Sequence, residues 1–367
     1  MTTPPIRDDL RTTRPYVTVP FPSAPRPLAH LNNNESPRPP AGRHLAALRA
    51  AAALALTKVN RYPDTTLLTL RTALAGYAGH AVRADMVWPG NGSNETLLHL
   101  LQVYGGPGRT ALGFGPTYSM HQQLAAITGT RWVQADRDPG FGLSPEAAGT
   151  TIDRHRPDVV FLCAPNNPTG TPLDPATLDV VLRAAPGLVV LDEAYVEFSA
   201  AGSRAGLLAE HRGLVIARTM SKAFGIAGVR MGYLLASPDV LAPLHVVALP
   251  YHLSTLTVSV ALAALEHAEE ALSHIPAILA ERTRVRDGLV SAGHAVTPSD
   301  ANFLFFDTNT DSSTAAANLA ARGVLVRDLG PRGWLRVSVG SPEENDVFLK
   351  VLAELAPSEG HHVDRFE

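Results

Sequence analysis

Short apolar runs alternate along this chain with segments whose apolar residues recur three and four positions apart, and turns rich in glycine, proline and asparagine separate the two. The runs Met86 to Trp88, Thr110 to Phe114, Thr130 to Ala135, Asp158 to Cys163, Leu188 to Asp192, Leu214 to Thr219 and Met231 to Ala236 predict strands. Helices are predicted near Glu95 to Val103, Tyr118 to Thr128, Pro145 to His155 and Pro175 to Arg183. Several of the strands are apolar along their whole length, as strands covered on both faces are. The alternation predicts an α/β fold with a mostly parallel central sheet flanked by helices.

The pattern changes toward both ends. Residues 1–40 are rich in proline, which excludes regular helix and predicts an extended arm that lies on some surface. A helix from about His44 to Thr57, the turn Asn60-Arg61-Tyr62-Pro63-Asp64 and a helix through Tyr77 follow. Beyond Pro238 a helical region runs from about Ser254 to Ala292, interrupted near Pro276. Strands at Asn302 to Phe306, Val324 to Arg327 and Trp334 to Val339 and helices at about Thr314 to Ala321 and Glu343 to Leu355 complete a smaller α+β unit. The expected organisation is an arm (1–40), a large domain (41–245) and a small domain (246–367) that closes over one end of the sheet. The tail from Pro357 is polar and expected to fray.

Composition narrows the class. A chain of 367 residues with 45% apolar and 18% charged residues is long enough for two domains of a globular protein. A formal net charge of -3 and a pI near 6.5 give no footprint for nucleic acid or an anionic membrane surface, so neither is an expected partner. The lone cysteine, Cys163, cannot form an internal disulfide and reads as a core residue of a reducing compartment. No signal-peptide pattern opens the chain and no apolar stretch spans a bilayer, so a cytoplasmic location is expected. The 14 histidines show no metal-ligand spacing; His267 and His274 could share a helix face, but no further ligand joins them.

Candidate chemistry centres on Thr219-Met220-Ser221-Lys222-Ala223-Phe224-Gly225 with Arg230 beyond it. Most lysines are solvated and do nothing else. Here Thr219, Ser221 and Arg230 suit a phosphate, and a lysine beside a phosphate site points to covalently held pyridoxal phosphate. Asp192 follows an apolar run and should emerge at a strand's C-terminal end, where it can keep a pyridine nitrogen protonated. Tyr195 can donate to the ring's phenolic oxygen, and Asn167, in the turn Asn166-Asn167-Pro168-Thr169-Gly170, can reach the same atom. Gly90-Asn91-Gly92-Ser93-Asn94-Glu95 opens a helix after a strand, which is both a cap and a phosphate site. It lacks the third glycine of a dinucleotide fingerprint, which argues against a nicotinamide dehydrogenase. Tyr118, starting the next helix, is either core or a ring stacked on the cofactor.

Together, Gly92-Ser93-Asn94, Pro116-Thr117-Tyr118, Asn166 to Gly170, Asp192-Glu193-Ala194-Tyr195 and Ser221 to Gly225 with Arg230 resemble the fold-type I aminotransferases that use pyridoxal phosphate. Arg14-Pro15-Tyr16, Leu31-Asn32-Asn33-Asn34-Glu35, Arg61 to Asp64, Leu249 to Ser254, Gly323 to Arg327 and Leu335 to Gly340 extend the resemblance over nearly the whole chain, toward the histidinol-phosphate aminotransferase family. The resemblance implies roles. Lys222 would carry the cofactor and shuttle a proton, Asp192 would pair with its ring nitrogen, Asn167 and Tyr195 would bind its phenolic oxygen, and Tyr118 would stack. Ser93, Asn94, Thr219, Ser221 and Arg230 would hold its phosphate, with Tyr62 reaching in from the second subunit of a homodimer. Arg336 would bind the carboxylate of glutamate or 2-oxoglutarate, and Tyr16, Arg327 and Arg336 the phosphate of histidinol phosphate. Ser36-Pro37-Arg38 departs from the family's usual Asn-Pro-Tyr, which places Arg38 as a modifier of the substrate mouth.

Three rivals follow from the same residues: an aromatic or specialised-pathway amino-acid aminotransferase, a decarboxylase of the same fold, and a non-catalytic sensor. Lys222 and Asp192, both present, speak against the last.

Overall fold

The structure, a computed structural model, describes residues 5–11, 13, 15 and 28–355. The chain enters through β1 (Ala29–His30), and the main sheet then takes β2 (Val87–Asn91), β3 (Thr110–Gly115), β4 (Arg131–Asp136), β5 (Val159–Cys163), β6 (Leu188–Asp192), β7 (Leu214–Thr219) and β8 (Met231–Ala236). Their order is β2-β8-β7-β6-β5-β3-β4. Strands β3 to β7 pair in parallel, whereas β8 runs antiparallel to both neighbours, β7 and β2. All residues of β5, β6, β7 and β8 are buried, which is why these runs lack alternation. At the open edge no residue of β4 is fully buried, and exposed Arg131 and Asp136 are charges that discourage further strand pairing.

Helices α1 (Gly42–Leu56), α2 (Leu68–Ala78), α3 (Ser93–Tyr104), α4 (Ser119–Ile127), α5 (Pro145–His155), α6 (Pro175–Ala184) and α7 (Pro238–Leu241) accompany these strands. The starts of α5 and α6 follow from their sequences. Ser144 accepts from the Ala147 amide and Asp174 from the Ala176 amide, and a proline fills each first turn. Each such cap contributes about 1 kcal/mol.

The helical region beyond residue 254 breaks twice, giving α8 (Thr255–Glu266), α9 (Ala268–Leu272) and α10 (Ile275–Ser291). The break expected near Pro276 lies just before it, because a proline in a helix's first turn loses no hydrogen bond. His267 therefore sits at the junction of α8 and α9 and His274 at the start of α10, so the two do not share a helix face. The chain closes with β9 (Phe303–Asp307), α11 (Ser312–Ala321), β10 (Val324–Leu325), β11 (Trp334–Ser338) and α12 (Pro342–Leu355). The strand expected to reach Arg327 stops at Leu325, and Arg327 instead exchanges two 2.9 Å backbone hydrogen bonds with Arg336.

Packing divides the chain later than residue 245. Val260, Ala261, Ala264 and Ala271 share one core with Leu70 and Phe224, so α8 and α9 pack with the main sheet. A separate core begins at α10, with Val285 and Leu289 against Leu304, Leu335 and Phe348. The end of the proline-rich arm belongs to this second core: Ala29 and Leu31 are fully buried in it, and β1 pairs in parallel with β10. β9 and β11 pair antiparallel beside them.

Candidate active site

Because β2, β3, β5, β6 and β7 run in one direction, the turns that follow them gather at one edge of the sheet, where open α/β sheets bind ligands. Antiparallel β8 starts at that edge, which is what brings Arg230 there. A cavity of about 240 Å³ lies over it, lined by Ser93, Asn94, Tyr118, Asn167, Asp192, Tyr195, Thr219, Ser221, Lys222, Arg230 and Arg336 among others.

One end of the cavity suits an anion. Gly92, at φ +80°, caps α3, and a Cβ there would sit 2.7 Å from Arg230 Nη2, so glycine is what allows the guanidinium to lie over the helix start. Below it, a Cβ on Gly232 would come within 2.2 Å of the Ser93 amide nitrogen. Free amides at a helix start attract anions, with the helix dipole adding about 0.3–1 kcal/mol. Arg230 itself has left-handed backbone (φ +60°) and donates to the Ala227 carbonyl at 3.1 Å. Among the described residues no carboxylate lies within ion-pair distance of it. Thr219 and Ser221 are joined at 3.0 Å between their hydroxyl oxygens, and Tyr118 donates to Asn94 Oδ1 at 3.2 Å.

In the middle of the cavity stand a carboxylate and an amine. Asp192, at the end of β6, is 1% exposed; Oδ1 accepts from the Ala194 amide at 3.1 Å and Oδ2 lies 3.1 Å from His121 Nε2. The His121 ring stacks on Phe161 and meets Tyr118 edge-on. Lys222 Nζ donates to the Asn33 carbonyl at 2.8 Å. Burial lowers its ammonium from 10.5 to about 8; Arg336 and Arg230 add to the effect, while Glu35 and Asp192 oppose it.

The far wall is polar. The Tyr195 hydroxyl oxygen accepts from Asn167 Nδ2 and from Asn34 Nδ2, each at 3.1 Å. Burial pushes the phenol well above its ordinary range, with Arg336 and the Asn34 hydrogen bond pulling it back. Arg336, 4% exposed, donates from Nη1 to Asn167 Oδ1 at 2.7 Å and from Nη2 to the Asn32 carbonyl.

Two expected residues are placed elsewhere. Arg327 is buried beside Arg336 but does not line this cavity. Tyr62 is 80% exposed, outside its own chain's cavity, with its ring stacked on Tyr251 at 4.4 Å between centroids. Tyr16 lies outside the described residues. Arg38 is exposed and lines neither this cavity nor the adjoining one of about 290 Å³, which Glu35, Ser36 and Gly340 help to form. The sequence reading gave no role to Asn33, Asn34 or His121. The Asn32-Asn33-Asn34-Glu35 run was the available signal for the first two; for His121 the signal was its position one helical turn after Tyr118.

Comparison with known proteins adds three findings. The model of the family "Aminotransferase class I and II" matches residues 28–352. The chain is 49% identical to a histidinol-phosphate aminotransferase of Thermobifida fusca (strain YX) over 352 residues, 95% of this chain and 94% of that one. A crystal structure of histidinol-phosphate aminotransferase from Sinorhizobium meliloti in complex with pyridoxal-5'-phosphate superposes with a TM-score of 0.81 at 26% identity, covering 89% of this chain and 90% of that one.

Proposed function

The chain belongs to the class I and II aminotransferase family, and from that premise we propose that it transfers an amino group between L-histidinol phosphate and 2-oxoglutarate, with pyridoxal phosphate as cofactor, in histidine biosynthesis. The observation that carries this reading is the convergence, in one cavity, of a lysine with a lowered pKa, a buried carboxylate and a cationic helix start.

The residues fit the cofactor at each of its ends. Arg230, Ser93, Asn94, Thr219 and Ser221 would take the phosphate, and the unpaired charge of Arg230 is the feature that asks for one. Asp192 would face the ring nitrogen, Tyr195 and Asn167 the phenolic oxygen, and Tyr118 the ring. When bound, the cofactor supplies a ring that takes up the electron pair left when a proton leaves the substrate's amino-bearing carbon. Lys222 takes that proton and returns it. An amine titrating near 8 is suited to this, since a useful fraction is neutral at working pH while its conjugate acid is still formed. Asp192 contributes fixed negative charge, held in place by the Ala194 amide and His121. Arg336 would orient the glutamate carboxylate, and Arg336, Arg327 and Tyr16 the phosphate of the other substrate; a planar guanidinium meets either group with two hydrogen bonds.

We place the enzyme in the cytoplasm as a homodimer. Exposed Leu54, Leu56, Val59, Tyr62, Leu249 and Tyr251 support a dimer, because side chains of this size gain by being covered. Tyr62 would then reach the phosphate of the partner's cofactor. The unit from α10 onward, with β1, would close over the site.

The substrate assignment is tested by comparing amino donors. Losing a charge-assisted hydrogen bond costs about 1.5–3 kcal/mol, so histidinol phosphate should exceed histidinol and phenylalanine in kcat/KM by on the order of a hundredfold. Arg327→Ala should damage the histidinol-phosphate half-reaction more than the glutamate half-reaction in single-turnover absorbance. Preference for phenylalanine, with equal damage to both halves, would favour an aromatic amino-acid aminotransferase.

A further inference from the structure

The Tyr195 hydroxyl sits between two side-chain amides, each oriented by a neighbour on β11. Arg336 can only donate, so Asn167 must turn its oxygen to Nη1, at 2.7 Å, and its nitrogen to Tyr195. On the other side Ser338 Oγ accepts the Asn34 backbone amide at 2.8 Å, and its own hydrogen then goes to Asn34 Oδ1 at 2.9 Å. With Ser338 donating to its oxygen, Asn34 also presents nitrogen to Tyr195. With N–H donors on both sides, the phenol cannot donate to either amide. Its hydrogen has one direction left, into the cavity.

The fold goes to some length to place Asn34. Its backbone is left-handed (φ +53°), which asparagine tolerates better than most residues, and it is 1% exposed. Asn302 Nδ2 donates to its carbonyl at 3.2 Å. Arg336 and Ser338 lie two apart on β11, so they share one face of that strand, and each holds one of the two amides.

We propose that Asn34, oriented by Ser338, is a positioning residue for the transamination: together with the Arg336-oriented Asn167, it aims the Tyr195 proton into the cavity at the cofactor's phenolic oxygen. This rests on the cofactor reading above. β11 thus governs Tyr195 through two relays, one of which also touches the arginine expected to bind substrate.

The test is the pH titration of the visible absorption of the cofactor-bound protein. A donor aimed at the phenolic oxygen favours the form in which the neighbouring lysine nitrogen has lost its proton, and so lowers the midpoint. Asn34→Ala and Ser338→Ala should each raise the midpoint by about half a unit to one unit, the worth of one neutral hydrogen bond. Asn34→Asp keeps the shape and tolerates the left-handed backbone, but its oxygen accepts the Tyr195 proton; it should raise the midpoint further. In a Tyr195→Phe background, Asn34→Ala should add nothing. If Tyr195→Phe itself leaves the midpoint unmoved, the cofactor reading of Tyr195 fails. If Tyr195→Phe moves it but neither Asn34→Asp nor Ser338→Ala does, or if the Asn34→Ala shift persists without the phenol, the proposal is overturned. A purely structural role for Asn34 would lower Tm and leave the midpoint in place.

Discussion

The two ends of the cavity are built in different ways. The anion end is assembled from short consecutive pieces, Gly92-Ser93-Asn94 and Thr219 to Lys222 with Arg230, all on the turns of one buried sheet. The Tyr195 wall is assembled from segments far apart in the chain, with Asn34 and Ser338 separated by 304 positions and Asn167 and Arg336 by 169. The first end stands on turns of the main sheet alone, whereas the second also draws on residues of β1's exit and β11, which pack in the smaller core.

The largest effect should come from the turns of the main sheet. Lys222→Ala removes the only amine among the described residues that line the cavity, so kcat should fall by about a hundredfold to ten-thousandfold or more. Borohydride reduction of the wild-type holoenzyme followed by peptide mapping should mark Lys222. A mark on another lysine would falsify the assignment. The same variant tests whether the site is shared. Mixed with an inactive Tyr62 variant, it should recover part of the activity in heterodimers; no recovery despite verified subunit exchange would count against Tyr62 crossing to the partner.

This difference also decides what was legible in the sequence. The sheet strands read directly because fully buried parallel strands are unbroken apolar runs, and the residues beside Lys222 read because helix starts and turns are local chemistry. Asn34 did not read as a site residue. Its neighbours in sequence say nothing of Tyr195 or Ser338, and a prolyl arm predicts extension without saying what it meets. The packing beyond residue 245 was hard to read for a related reason: composition changes after Pro238, but α8 carries a small apolar face that packs back on the sheet's core. Tyr62 was readable as a motif, yet its exposed place beside Tyr251 gives it no partner within its own chain's cavity.

A second prediction joins the two ends. Lys222 titrates near 8 chiefly because it is buried, with Arg336 the next contributor. In the cofactor-free protein, the rate of reductive methylation at Lys222, followed against pH by mass spectrometry, should have a midpoint near 8, and Arg336→Met should raise it. The sign carries over to stability. A lysine whose folded pKa lies below its unfolded value leaves the unfolded chain with more bound protons between the two, so this group makes stability rise with pH from about 8 to 10.5. An unchanged midpoint in Arg336→Met would mean that the wall exerts no field on the lysine.

The smallest effect should come from Tyr118→Phe. The ring that would lie on the cofactor remains, while a 3.2 Å hydrogen bond to Asn94 Oδ1 is lost. A neutral hydrogen bond of that kind is worth about 0.5–1.5 kcal/mol, so cofactor affinity should fall by no more than about tenfold, measured by quenching of intrinsic fluorescence on titration. Asn94 sits in the first turn of α3, so a loosened Asn94 should weaken the grip on the phosphate and leave the Tyr195 wall untouched. The comparison then predicts a clean split: Tyr118→Phe lowers cofactor affinity with the visible pH midpoint unmoved, whereas Ser338→Ala moves the midpoint. A Tyr118→Phe variant that shifted the midpoint as far as Ser338→Ala would show that the two ends are one electrostatic unit, and their separate construction would carry no functional meaning.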